Sequence, residues 1–148
     1  DITRWVSILS KHHFLISVAL TVVVVSLVEP PVSPLLVVGY GAALGVLVDL
    51  DHFLLARLNT GSWRATTLVY REPRLLLFEQ KAIFEDGEVG AVRRLASHAV
   101  ITAVLVAGLL PVSSALAVVS VVVLVGHILS DVVYDFTPVF GPPHAYVR

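Results

Sequence analysis

The 148-residue chain gathers its charged and histidine residues at one end of four apolar segments, and that segregation restricts what it can fold into. The segments run over about 14–28, 35–55, 95–110 and 115–136, the second and fourth carrying polar residues at their ends. Glu29-Pro30-Pro31-Val32-Ser33-Pro34 joins the first pair and Pro111-Val112-Ser113-Ser114 joins the last pair. Proline cannot continue a helix through such a link, so both read as tight turns, with Ser114 placed to cap the fourth helix. A long polar loop, 57–94, separates the two halves. With each segment helical, all ten Lys and Arg, all six His and ten of the eleven acidic residues fall at one end; Glu29 is the exception.

Composition decides between lipid and water as the surroundings. The chain is 57% hydrophobic, with a mean hydropathy of +0.90, and only 14% of its residues are charged. A soluble domain carries roughly 25% charged residues. The balance predicts one compact membrane domain over 1–148. Valine runs such as Val22-Val23-Val24-Val25 would favour strands in water. In hydrocarbon the backbone must satisfy itself, and a barrel strand would alternate polar and apolar residues, which these runs do not. The expected fold is therefore an all-α, integral membrane four-helix bundle. A net charge of −1 argues against nucleic acid as a partner, and the absence of Cys removes disulfides and thiolate chemistry. The absence of Met places residue 1 after an initiator or within a longer chain. Residues 1–11 are too polar for a signal-peptide core, so the first segment reads as a retained span.

The cationic residues orient the bundle. Seven of the ten Lys and Arg lie in the loop from Arg57 to Arg94, and Arg4, Lys11 and Arg148 lie near the termini. By the positive-inside rule the termini, the loop and the polar ends of the helices face the cytoplasm across the cell membrane. Counting inward from the far-side turns, the first His or Asp comes after 15 residues to His13, 15 to Asp49, 12 to His98 and 13 to His127. At 1.5 Å per residue all four helices reach a polar side chain roughly 18–22 Å from the far side. Carboxylates and imidazoles at that depth are costly and mark a functional site by default.

Asp49 and His52 share a face at i, i+3, while Asp51 points elsewhere on a straight helix unless the helix frays there. His127, Asp131, Tyr134 and Asp135 form one stripe bordered by Ser130, and Arg94 and His98 sit at i, i+4. Helical bundles build metal sites from this spacing. Other residues read more plainly. His12 and His13 beside Lys11 are interfacial residues first and site members second. His144, after Gly141-Pro142-Pro143, reads as a loop residue, and Glu85, Asp86 and Glu88 as solvated acids. His127 with Asp131 also reads as an internal hydrogen-bonded lock. Within the loop, 73–84 predicts a short interfacial helix, either dipping into lipid as a lid or docking on the bundle or on a protein partner. Asp86-Gly87 and Val89-Gly90 mark turns after it.

Three short motifs resemble a known family. Val48-Asp49-Leu50-Asp51-His52 resembles the Leu-Pro-Asp-x-Asp-His signature of the YdjM-like predicted membrane-bound metal-dependent hydrolases. Arg94-Leu95-Ala96-Ser97-His98 resembles that family's Arg-Gly-x-Thr-His element. The stretch Gly126-His127-Ile128-Leu129-Ser130-Asp131, continuing through Asp135 to Thr137-Pro138, resembles its closing element. The departures are Val48 for proline, Arg93 for histidine, Asp131 for histidine with His127 one turn earlier, and a longer central loop. The resemblance implies a membrane-embedded metal-dependent hydrolase acting on a lipid-like or amphiphilic substrate, phosphoesters included. Asp49, His52, His98 and Asp131 would be the metal ligands, zinc first with manganese or iron as alternatives, and one or two ions. Asp51, His127 and Asp135 would be catalytic or orienting, and Arg94 would hold an anionic substrate. The alternative is an accessory or structural membrane subunit whose His/Asp layer holds the bundle or an assembly together. An ion or proton pathway ranks below both, because the far half of each helix is nearly free of polar residues.

Overall fold

The computed structural model describes residues 10–28, 30, 32–85 and 87–136. Arg4, Glu29, Pro31, Asp86, Thr137, Pro138, His144 and Arg148 lie outside this set, with the readings placed on them. Every regular element among the described residues is helical, and no strand occurs there. The helices are α1 (Ser10–Leu27), α2 (Pro34–Leu47), α3 (Asp51–Thr60), α4 (Arg64–Arg71), α5 (Leu75–Phe78), α6 (Ala91–Leu109) and α7 (Ser114–Phe136).

The protein is a membrane protein by the length and apolarity of three helical stretches: Pro34–Thr60, Ala91–Leu109 and Ser114–Asp135. The apolar part of α1, His12–Leu27, is shorter. Large apolar side chains such as Leu27, Leu35, Leu36 and Val104 point outward, as expected where the solvent is hydrocarbon. Pro34 starts α2, where its missing N–H costs nothing. At the other far-side turn the cap is Ser113, not Ser114: its hydroxyl accepts from the Leu116 N–H at 3.3 Å.

Helices α1, α2 and α7 pack mutually, and α6 lies mainly along α7, touching α3 near its start. The α1–α2 seam is close because glycine makes it so. A Cβ on Gly41 would lie 2.0 Å from the Thr21 hydroxyl, and one on Gly45 would lie 1.8 Å from that of Ser17. This is the small-xxx-small device by which membrane helices gain dispersion contacts without a hydrophobic drive. Val24, Val37, Val119 and Val123 fill the core on the far side of it. The few hydroxyls there are satisfied locally. Thr21 donates to the Ser17 carbonyl at 2.7 Å, Ser120 to that of Leu116 at 2.8 Å, and Tyr40 therefore donates to Ser120 at 2.6 Å.

The central loop differs from expectation. The single helix read over 73–84 is broken into α5 and a 3₁₀ turn at Gln80–Ala82, and α4 precedes it. On a straight helix Leu75 and Ile83 would lie about 12 Å apart. The break lets both enter one buried cluster with Ala65, against Phe53 and Phe84. Phe78 is left exposed. Glu88 is not a solvated acid. It is buried, and Arg64 holds it at 2.6 Å while also donating to the Ile83 carbonyl at 3.0 Å. Burial alone would raise the Glu88 carboxyl. The Arg64 guanidinium and the Glu85 N–H outweigh that and hold it below the ordinary carboxylate value.

Candidate metal centre

The helix does not run straight through the first motif. Val48–Leu50 forms a 3₁₀ turn between α2 and α3. Its tighter winding stacks residues three apart, so Asp49 lies beneath His52, with Asp49 Oδ1 at 3.6 Å from His52 Nε2. Asp51 begins α3 and turns toward α6. There it accepts a hydrogen bond from Ser97 and lies 3.3 Å from His98 Nε2. The departure from straight helix is what brings Asp51 into the site.

Every candidate from the three motifs converges. His98 Nε2 is 3.8 Å from Asp49 Oδ1, and His127 Nε2 is 3.2 Å from the same oxygen. Asp131 Oδ2 faces His98 Nδ1 at 3.5 Å, His127 Nε2 at 3.5 Å and Arg94 Nε at 3.6 Å. Arg94 pairs directly with Asp135. Its fork is thus directed at two carboxylates of α7. His13, read first as interfacial, is buried with Nε2 at 3.3 Å from Asp131 Oδ1, whereas His12 is exposed. The sequence signal for His13 was its depth, equal to that of Asp49 when counted from the far-side turn.

Two groups of ligand atoms emerge among the described residues, each with its atoms within 4.8 Å of one another: Asp49, His52 and His98, and His13, His127 and Asp131. Asp131 therefore sits with His13 and His127, next to the three ligands expected to share an ion with it. The first group keeps some exposure at Asp49 and His52, and the ring of Phe84 stands edge-on to His52 at 6.0 Å. The second group is buried throughout.

The residues fit a cation. His52 Nε2, His127 Nε2, His98 Nδ1 and Asp131 Oδ2 are buried without a hydrogen bond. A buried polar group left unpaired is costly, so this cluster of orphans is anomalous for a finished core. The tautomer of His127 sharpens the point. Its Nδ1 lies 2.9 Å from the Gly45 carbonyl, which can only accept, so Nδ1 carries hydrogen. Nε2 then faces the carboxylates of Asp49 and Asp131, to which it presents either a ring proton or a bound cation. Asp49, Asp51, Asp131 and Asp135 face a single guanidinium, leaving a formal excess of three negative charges when the imidazoles are neutral. Nitrogen and oxygen donors in this mixture suit zinc, manganese or iron.

The chain matches no family model, no curated protein and no solved structure.

Proposed function

We propose that this chain is a membrane-embedded, metal-dependent hydrolase working at the cytoplasmic face on a lipid-like or amphiphilic substrate, phosphoesters foremost. The observation that carries the reading is the partly open group of Asp49, His52 and His98, whose donor atoms lie within 4.8 Å of one another. The resemblance to the YdjM-like family supports the same chemistry through the motifs that supply these ligands. The positive-inside asymmetry supports a four-helix bundle with both termini, the loop and the site on the cytoplasmic side. Zinc is the favoured ion, with manganese and iron accepting the same donors.

A divalent ion held there would lower the pKa of a water molecule and stabilise charge developing on the attacked group. The protein's own groups set the rest. Ser97 occupies one oxygen of Asp51 and leaves the other toward His98 and His52, where it serves as general base. Asp131 Oδ2 faces His98 Nδ1 at 3.5 Å, close enough to take that ring's hydrogen and set its tautomer when an ion is bound. Asp135 anchors Arg94 beside the layer, and an anionic substrate would compete for that guanidinium. The depth of the layer favours substrates that bring their own hydrocarbon, with the bilayer as the binding partner and the 57–94 loop as a surface for a protein.

The test is hydrolysis of a fluorogenic phospholipid by the purified protein in detergent. The proposal expects zinc to support turnover, a chelator to stop it, and Asp49→Ala to abolish it. Bound metal without turnover on any amphiphilic ester would favour the second reading, a non-catalytic membrane subunit. One observation already favours that alternative: Asp131 links α1, α6 and α7 through His13, Arg94 and His127.

A further inference from the structure

Building on the metal-binding reading above, the geometry points to a second, closed cation site formed by His13, His127 and Asp131, taking a divalent ion of zinc's type and tying α1 to α7. No motif singled out His13, and the hydrolase reading does not use it.

The argument rests on which nitrogen each imidazole presents. Ser130 has one hydroxyl hydrogen, and it goes to the His127 carbonyl at 2.7 Å. Toward His13 Nδ1, 3.3 Å away, Ser130 can therefore only accept, so His13 carries its hydrogen on Nδ1. His127 carries its hydrogen on Nδ1 as well, donated to the Gly45 carbonyl at 2.9 Å. Both rings are thus held from behind and direct Nε2 at the same carboxylate: His13 at Oδ1, 3.3 Å, and His127 at Oδ2, 3.5 Å. In that arrangement two Nε2 atoms and a carboxylate converge in a buried space, a donor set that a divalent cation fills by displacing any ring proton. Ligand atoms ~2.0–2.1 Å from a tetrahedral zinc lie about 3.3 Å apart, close to the spacings seen here. The backing partners are those that metal-ligating histidines generally have, a hydroxyl in one case and a backbone carbonyl in the other.

The two rings stack with centroids 3.8 Å apart and planes 15° from parallel. Their in-plane lone pairs therefore run side by side, and binding splays the rings to bring the Nε2 atoms onto one ion. All three residues are buried, so this site has no open position for a substrate, in contrast to the Asp49 group. A structural zinc takes four ligands, and Asp49 Oδ1, 3.2 Å from His127 Nε2, is placed to be the fourth. The ion's mechanical effect would be to fasten the short α1 to α7.

The experiment uses the full chain in detergent, stripped by chelator and titrated with Co²⁺, whose visible absorption reports coordination, with metal per chain counted by elemental analysis. The proposal expects two ions per chain. His13→Ala should keep one, and Ser130→Ala should weaken the second ion about 10- to 100-fold while the first is unchanged. His52→Ala should spare the second ion. One ion per chain in the unmodified protein, or two retained in His13→Ala, would overturn the second site and leave the first standing. No ion at all would overturn both. Should His13→Ala fail to fold by circular dichroism, Ser130→Ala, which removes a single hydroxyl, decides the matter.

Discussion

The Asp49 group and the Asp131 group are built from the same side chains at the same depth, yet they differ in how the fold presents them. Asp49 and His52 come from one chain segment at the place where it tightens into a 3₁₀ turn and keep 15–18% side-chain exposure, and His98 joins them from α6 with 1%. His13, His127 and Asp131 come from two unbroken α-helices packed together, and their side chains keep 1–4%. A site that must admit substrate needs the first arrangement, and one that must hold helices together needs the second. The two share a border where Asp49 Oδ1 and Asp131 Oδ2 flank His127 Nε2, so a change in one is felt in the other.

The largest expected effect breaks the closed group. Arg94→Ala leaves Asp131 and Asp135 without their guanidinium in a buried layer, and breaking such a pair costs about 3–5 kcal/mol. Thermal unfolding in detergent should show a large drop; an unchanged midpoint would mean that water or another cation already serves those carboxylates. Next, Gly45→Ala puts a methyl 1.8 Å from the Ser17 hydroxyl, forcing α1 away from α2 at a cost of about 1–3 kcal/mol. Because Gly45 also supplies the carbonyl that fixes His127, the closed group should lose metal before the open one does, as read by Co²⁺ spectra of the variant. Ser97→Ala strikes only the open group. Releasing Asp51 should lower turnover about 10- to 100-fold with little change in melting, and equal losses in both would contradict its role beside the open site.

The smallest effect concerns the loop. Glu88 is held below its ordinary carboxylate value in the folded protein, so its contribution is present above the unfolded pKa and is lost as pH falls through the lower, folded one. Protection factors of the amides across 61–85 and 87–90, corrected for the slower intrinsic exchange in acid, should fall as the pH drops below about 4, the reference carboxylate range, and Glu88→Gln should show the lower protection already at neutral pH. Metal content measured at neutral pH should not change in that variant. A loop that exchanges at the same rate in both would show that the Arg64–Glu88 pair does not fasten it.

Much of the helical frame was legible because lipid imposes simple rules. Runs such as Val121-Val122-Val123-Leu124-Val125 have no way to satisfy their backbone in hydrocarbon except as helix. The common depth of His13, Asp49, His98 and His127 was legible too, since rise per residue is fixed. Rotation about each axis was not. Whether Asp51 joins the site depends on a three-residue 3₁₀ turn that the sequence does not announce, and the true depth of α1, hence the role of His13, depends on Gly41 and Gly45 lying against Thr21 and Ser17. The loop was read least well. Leu75 and Ile83 look like one amphipathic face, but their burial with Ala65 demands a break between them, and Arg64 lies 24 residues from the acid it pins.

The central claim is that this layer is a cation site, and elemental analysis of the protein purified without added metal tests it most directly. The account predicts at least one equivalent of a divalent transition metal per chain, lost in Asp49→Ala and in His98→Ala. Absence of stoichiometric metal, together with unchanged folding in those two variants, would contradict it and leave the His/Asp layer as a structural lock.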